Sequence, residues 1–294
     1  MGRRLRRIVL PAILALLTST AMPASAMVPY VFLPSAKGLQ DAGLGIAEEA
    51  VQLLRMGQPE YAARLAQLTV RLLPNDPRGW VLLAEAHLRD NKPKEAINAL
   101  ARAKRLDPNN PDIWFAEGAL ALRNGKASDA LTLIQKGLQF NGRNAGAYFD
   151  LGNAHILLNQ PEPALKAFER AASLRANFWE AINNQGLVLF ERGQIQEAMK
   201  RWRKVLAIKP GVAESSLALA AALHGQSPAS REEAFRLAES ALADDPNYVK
   251  DDYQTEQLWG PKLREAARLL LAEPFLKPAV ERAKANATGS QGSD

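Results

Sequence analysis

Apolar positions in residues 186–210, GLVLFERGQIQEAMKRWRKVLAIKP, recur at helical spacing in two blocks. The first block breaks at Gly193 and the second stops at Pro210. Glycine accepts the left-handed backbone that ends a helix, and proline cannot continue one. The pattern therefore predicts a helix, a tight turn and a second, antiparallel helix. Alanine and leucine dominate the chain and, with its unbranched glutamines, favour helix, while β-branched and aromatic residues are too sparse for a large sheet.

The same punctuation recurs at a fixed interval. Ala50, Ala84, Gly118, Gly152, Gly186 and Ala220 stand 34 residues apart. So do Gly57, Asn91, Gly125, Asn159 and Gly193, and so do Ala62, Ala96, Ala130, Ala164 and Ala198. Pro74, Pro108 and Pro210 share a fourth column, with Gly142 and Ala176 in its gaps. Each column has a mechanical reason. Small residues let two helix axes approach. Glycine and asparagine tolerate the conformation that closes the first helix. The alanine column leaves room for one methyl group on the second helix, and the fourth column stops it.

At these residues the chain resembles the tetratricopeptide repeat (TPR) family. Trp80, Leu83, Ala84, Ala96, Leu100 and Pro108 follow its pattern, as do Tyr148, Leu151, Gly152, Ala164 and Phe168. The opening stretch matches through Gly186, Ala198, Trp202 and Pro210. The resemblance implies an all-α fold, a right-handed α-α superhelix, with units at 43–76, 77–110, 111–144, 145–178, 179–212 and 213–248. Residues 27–42 read as an extended segment and a helix lead-in. Residues 249–285 read as capping helices broken at Gly260-Pro261 and near Pro274. Their Leu263, Ala267, Leu270 and Leu271 form an apolar stripe for the last unit. Residues 286–294 carry almost no apolar content and are expected to be disordered.

Composition changes this picture in two places. Cysteine is absent, which excludes disulfides, thiolate metal sites, a cysteine nucleophile and a lipid-modified cysteine. Residues 1–26 have the form of a secretory signal: Arg3, Arg4, Arg6 and Arg7, a short apolar run from Ile8 to Leu17, and Ala24-Ser25-Ala26. The run is shorter than the roughly 20 apolar residues of a membrane span, so cleavage after Ala26 and no stable membrane insertion thereafter are expected. The chain carries 37 basic and 31 acidic residues, +6, and removing the leader's four arginines leaves +2. A nucleic-acid partner loses its electrostatic support with them.

Catalytic chemistry is not evident. His87 and His155 share a column and read as packing residues with a polar tip, and His224 ends a first helix. None has a carboxylate or second histidine at ligand spacing, and no phosphate loop, nucleophile elbow or dinucleotide fingerprint occurs. Asp244, Asp245, Asp251, Asp252 and Glu256 cluster without the ligand alternation of a calcium loop. No metal, cofactor or enzymatic activity is expected.

What remains is surface. The resemblance implies that one face of each first helix lines a concave groove that holds an extended peptide. Matched residue by residue, that face offers Val81, Glu85, Phe115, Ala119, Phe149, Asn153, Asn183 and Leu187, with Asn184 beside them. Asn153 and Asn184 match the asparagines of carboxylate-clamp members, but Phe149, Glu214 and Ala218 replace the clamp's cations. An apolar extended ligand thus fits better than an acidic C-terminus, and the amides of Asn153, Asn183 and Asn184 read either as bonding its main chain or as satisfying local backbone and water. Arg55, Arg89 and Arg123 form a basic edge, read either as a stripe for an acidic partner or as cations placed at helix C-termini. The resemblance implies a non-enzymatic adaptor in a periplasm or thylakoid lumen, of the kind that assists assembly of membrane complexes in photosynthetic bacteria. The alternative is a self-associating envelope protein that forms homo-oligomers.

Overall fold

The computed structural model describes residues 35–287, so the expected leader at 1–26, the expected extended segment at 27–34 and the last seven residues lie outside them. Twelve helices form six antiparallel pairs: α1 (Ala36–Arg55) with α2 (Pro59–Leu72), α3 (Pro77–Arg89) with α4 (Pro93–Leu106), α5 (Pro111–Arg123) with α6 (Ala127–Phe140), α7 (Ala145–Leu157) with α8 (Pro161–Leu174), α9 (Trp179–Glu191) with α10 (Ile195–Ile208), and α11 (Ala213–His224) with α12 (Arg231–Asp244). A C-terminal arm follows, comprising α13 (Asp251–Glu256), α14 (Pro261–Leu271) and α15 (Lys277–Asn286). Among the described residues there is no strand. The architecture is an α-solenoid: each pair packs on the next, and the first helices α1, α3, α5 and α7 also touch across units.

The turns show why the punctuation repeats. Gly57, Asn91, Gly125, Asn159 and Gly193 adopt φ between 55° and 78°. At each, the next residue's N–H donates to the carbonyl five positions back, as in Lys92 to His87 at 2.8 Å and Gln194 to Leu189 at 2.9 Å. These are Schellman closures, which satisfy carbonyls that a helix end would otherwise leave open. Pro59, Pro93 and Pro161 begin second helices, where a missing N–H costs nothing.

Within each pair the small column faces a second column that varies in size. A Cβ at Gly118 would lie 2.5 Å from Ile134, one at Gly152 2.4 Å from Phe168, and one at Gly186 2.5 Å from Trp202. Leu100, of the same volume as Ile134, faces Ala84 instead, and both are buried in one cluster. The two aromatic partners, Phe168 and Trp202, both face glycine, which keeps the packing dense.

The arm does more than close the end. α15 packs against α12 and the 3₁₀ turn after it, while α14 lies across the first helices α9 and α11. Leu263, Ala267 and Leu270 of α14 are fully buried. As a result every residue from Ala181 to Phe190, and from Ser215 to Leu223, is buried. The stripe expected to cap the last unit from its end instead covers the concave side of the last two.

Candidate functional site

The first helices of the first four units, with the start of α9, enclose an open groove of about 920 Å3. Val81, Leu82, Phe115, Ala116, Ala119, Phe149 and Phe178 form its apolar floor. Glu85, Asp112, Asp150 and Glu180 supply acids to its walls, and Arg55, Arg78, Arg89, Arg123 and Arg175 supply cations. Five of the nine groove positions expected from the sequence, Val81, Glu85, Phe115, Ala119 and Phe149, line this cavity together with the three arginines of the basic edge.

The other four do not. Asn183 is 1% exposed and Asn184 8%. They form an internal relay: Asn184 donates to Asn153 at 3.0 Å, Asn183 donates to Asn184 at 3.2 Å, and Ser215 donates to Asn183 at 2.7 Å. The expectation that Asn183 and Asn184 hold a peptide main chain is therefore corrected, because both are buried and bonded inside the protein, while half-buried Asn153 accepts from Asn184 and does not line the cavity. Leu187 is buried beneath the arm. The relay ends at Glu214, whose carboxylate accepts from the buried Trp259 Nε1 at 3.0 Å. Burial pushes the Glu214 carboxyl up to about 7, against the opposing hydrogen bonds from Trp259 and Asn183.

The phenylalanines also differ from expectation. Phe115 is 9% exposed and packs over Gly137, and half-buried Phe149 sits between Phe168 and Phe178 at centroid distances of 5.7 and 5.4 Å. Phe115 belongs to the core and Phe149 packs against it, and both also line the groove. Their loss would damage the fold as well as the floor.

The arginine column has an internal role. Arg89 donates to the Leu54 carbonyl at 3.5 Å, and Arg123 donates to the Leu88 carbonyl and to Asn91 Oδ1. Each caps the C-terminus of the preceding unit's first helix, where a cation is favoured. Among the described residues no unit precedes Arg55, which remains exposed. The column continues through Leu157 to Glu191, where the sign reverses. Glu191 accepts from the backbone N–H groups of Lys262 and Leu263 at 3.2 and 2.9 Å, and so caps the N-terminus of α14.

Asp150 is the groove residue that pattern-reading missed. Its column runs Leu82, Ala116, Asp150, Asn184, so a lone charge among apolar, small and neutral residues was the available signal. Burial, then like charge from Glu85, push its carboxyl up to about 7, with Arg89 opposing. Asp112 is raised by the same two causes in the same order.

The remaining chemistry is structural. His155 Nδ1 lies 2.7 Å from Gln160 Oε1, and His224 Nε2 lies 2.7 Å from Glu273. Of the acidic cluster, Asp245 accepts from Asn247 and Tyr253, and Asp251 pairs with Arg264. Among the described residues no group of three or more such side chains is placed to hold a metal, and no helix is long and apolar enough to cross a membrane.

Comparison with known proteins agrees with this geometry. Family models for the tetratricopeptide repeat match residues 77–120, 115–177 and 149–213. No curated protein matches the chain. Among solved structures it is similar to pilF of Pseudomonas aeruginosa, at 17% identity and a TM-score of 0.59, over 75% of this chain and 98% of that one. It is also similar to a chain of the APC/C hetero-tetramer Cut9-Hcn1, at 16% identity and a TM-score of 0.64, over 84% of this chain and 45% of that one. A thermophilic TPR protein of Thermus thermophilus gives 19% identity and a TM-score of 0.55, over 62% of this chain and 99% of that one. Likeness at these identities establishes the fold.

Proposed function

We propose that this array of tetratricopeptide repeats is a non-enzymatic scaffold that holds an extended segment of another protein in the groove of its first four units. The observation that carries the reading is the contrast between the two halves of the concave side. Over α9 and α11 the arm covers that side, while from α1 to α7 it is left open with an apolar floor and charged walls. An apolar floor below and polar groups on the walls above suit an extended chain, which presents alternating side chains and free backbone groups. The leader pattern supports export, to a periplasm or a thylakoid lumen, and assistance in assembling a membrane complex is the role we assign there.

A photo-crosslinking amino acid at Ala119, in the groove, and another at Ile97, on the exposed side of α4, test the placement in cells. Protein adducts from position 119 but not from 97 are expected. Equal labelling from both, or none from 119, would refute groove binding.

A further inference from the structure

The groove's charges do not balance side chain by side chain. Its cations are engaged: Arg78 pairs with Asp76 at 2.6 Å, Arg89 with Glu85 at 2.8 Å, Arg123 caps Leu88, and Arg175 lies 3.5 Å from the centroid of Phe178. Arg55, at the rim, is the exception. Among the described residues the carboxylates of Asp112, Asp150 and Glu180 have no hydrogen bond or ion pair, although all three line the cavity. Asp112 and Glu180 stand in the first turns of α5 and α9, where the helix dipole favours an acid. Their presence needs no ligand.

Asp150 has no such reason. It lies in the middle of α7, half-buried and open to the cavity, with Glu85 adding like charge from across the groove and Arg89 opposing it. A half-buried charge without a partner gives the fold nothing, and Ala116 and Asn184 show that a neutral residue serves at the equivalent positions of α5 and α9. On the intervening helix α5 the positions equivalent to Glu85 and Asp150 are Ala119 and Ala116, whose small side chains leave room in the cavity.

We propose that this space takes a basic side chain, lysine or arginine, from the extended partner segment, with Asp150 as its main acceptor and Glu85 and Asp112 flanking it. The inference rests on the groove reading above and names the chemistry of its occupant. A metal ion fits less well, because these acids are not grouped closely enough to ligate one. A long cationic side chain reaches the recessed acid by its own length, laying its apolar stem along Phe115 and Ala119. The expected partner motif is thus apolar residues around one cation, the opposite of an acidic tail.

A positional-scanning library of acetylated, amidated octapeptides, captured on the full-length protein, tests this. Lysine and arginine should be enriched about tenfold at one position, the scale of one hydrogen bond to a charged group. Asp150→Asn should remove that enrichment while leaving the circular dichroism spectrum unchanged. Enrichment of acidic residues, of apolar residues alone, or of basic residues undiminished in both Asp150→Asn and Asp112→Asn would overturn the inference and leave groove binding standing. No capture of any octapeptide would overturn both.

Discussion

Gly186→Ala adds one methyl group to the middle of α9, directly against a ring that cannot retreat. The new Cβ would lie 2.5 Å from Trp202 Nε1, 2.7 Å from Cε2 and 3.0 Å from Cδ1. Carbon contacts are comfortable at about 3.5–4.0 Å, so the indole must move by about 1 Å. Trp202 has no exposed surface, and Phe190 stands behind it at a centroid distance of 5.9 Å. Overpacking of this kind costs about 1–3 kcal/mol, while alanine in place of glycine in a helix interior returns about 1 kcal/mol. Gly45→Ala isolates the second effect. Gly45 is mid-helix in α1, and a Cβ there would meet nothing within 4 Å. The difference between the two variants is therefore the overpacking alone, about 1–3 kcal/mol, or roughly 2–10 °C in Tm for a chain of this size. Thermal and urea melts followed at 222 nm measure it. Trp202→Leu combined with Gly186→Ala recreates the Ala84–Leu100 pairing of the second unit. The double variant should be more stable than the sum of the single effects by about 1 kcal/mol or more. Equal stability of Gly186→Ala and Gly45→Ala, or strict additivity in the double variant, would show that helix approach is not limited at this column.

Two further outcomes follow from the groove walls. Arg123→Met removes the donor to Leu88 and Asn91 and should cost about 1 kcal/mol, whereas Arg55→Met, with no preceding helix to cap among the described residues, should stay within about 0.5 kcal/mol; equal losses in chemical denaturation would refute the capping role. Asp150 holds its proton more tightly in the folded state than its ordinary value of 3.8 allows unfolded, so its contribution to stability is fully present below about 4 and is lost as pH rises to about 7. Glu85 and Arg89 from α3, Asp112 from α5 and Glu180 from α9 set the field it titrates in. Asp150→Asn should accordingly stabilise the protein at pH 8 by at most about 4 kcal/mol, less as water enters the groove, with little change at pH 4; the same effect at both pH values would count against this assignment.

The architecture was legible because its determinants are local. Gly193 needs a left-handed backbone, Gly186 needs a close helix, and both requirements act within one unit and recur at 34 residues. The site was legible only where position along a first helix decides exposure, as for Val81, Glu85 and Ala119. It was not legible where a distant segment decides it. Asn183 occupies a repeat position like those of Val81, Phe115 and Phe149, yet α14 and Trp259, more than seventy residues later, turn its surroundings into interior. Nor does spacing reveal that Arg123 is bound to a carbonyl of its neighbour while Asp150 has no partner among the described residues. Those facts depend on how two units meet, which the periodicity repeats but does not describe.

The reversal of sign at Glu191 gives the array a direction of growth. A tandem copy of residues 77–110 would bring its own Arg89 and its own receiving carbonyl, so each new seam would close as the old ones do. A copy of residues 179–212 would place a second carboxylate beside the carbonyl end of a neighbouring helix, where negative charge is disfavoured, with no arm to receive it. Gene duplication therefore has room to lengthen such a molecule from the N-terminal side, while the far end is fixed by a single acid.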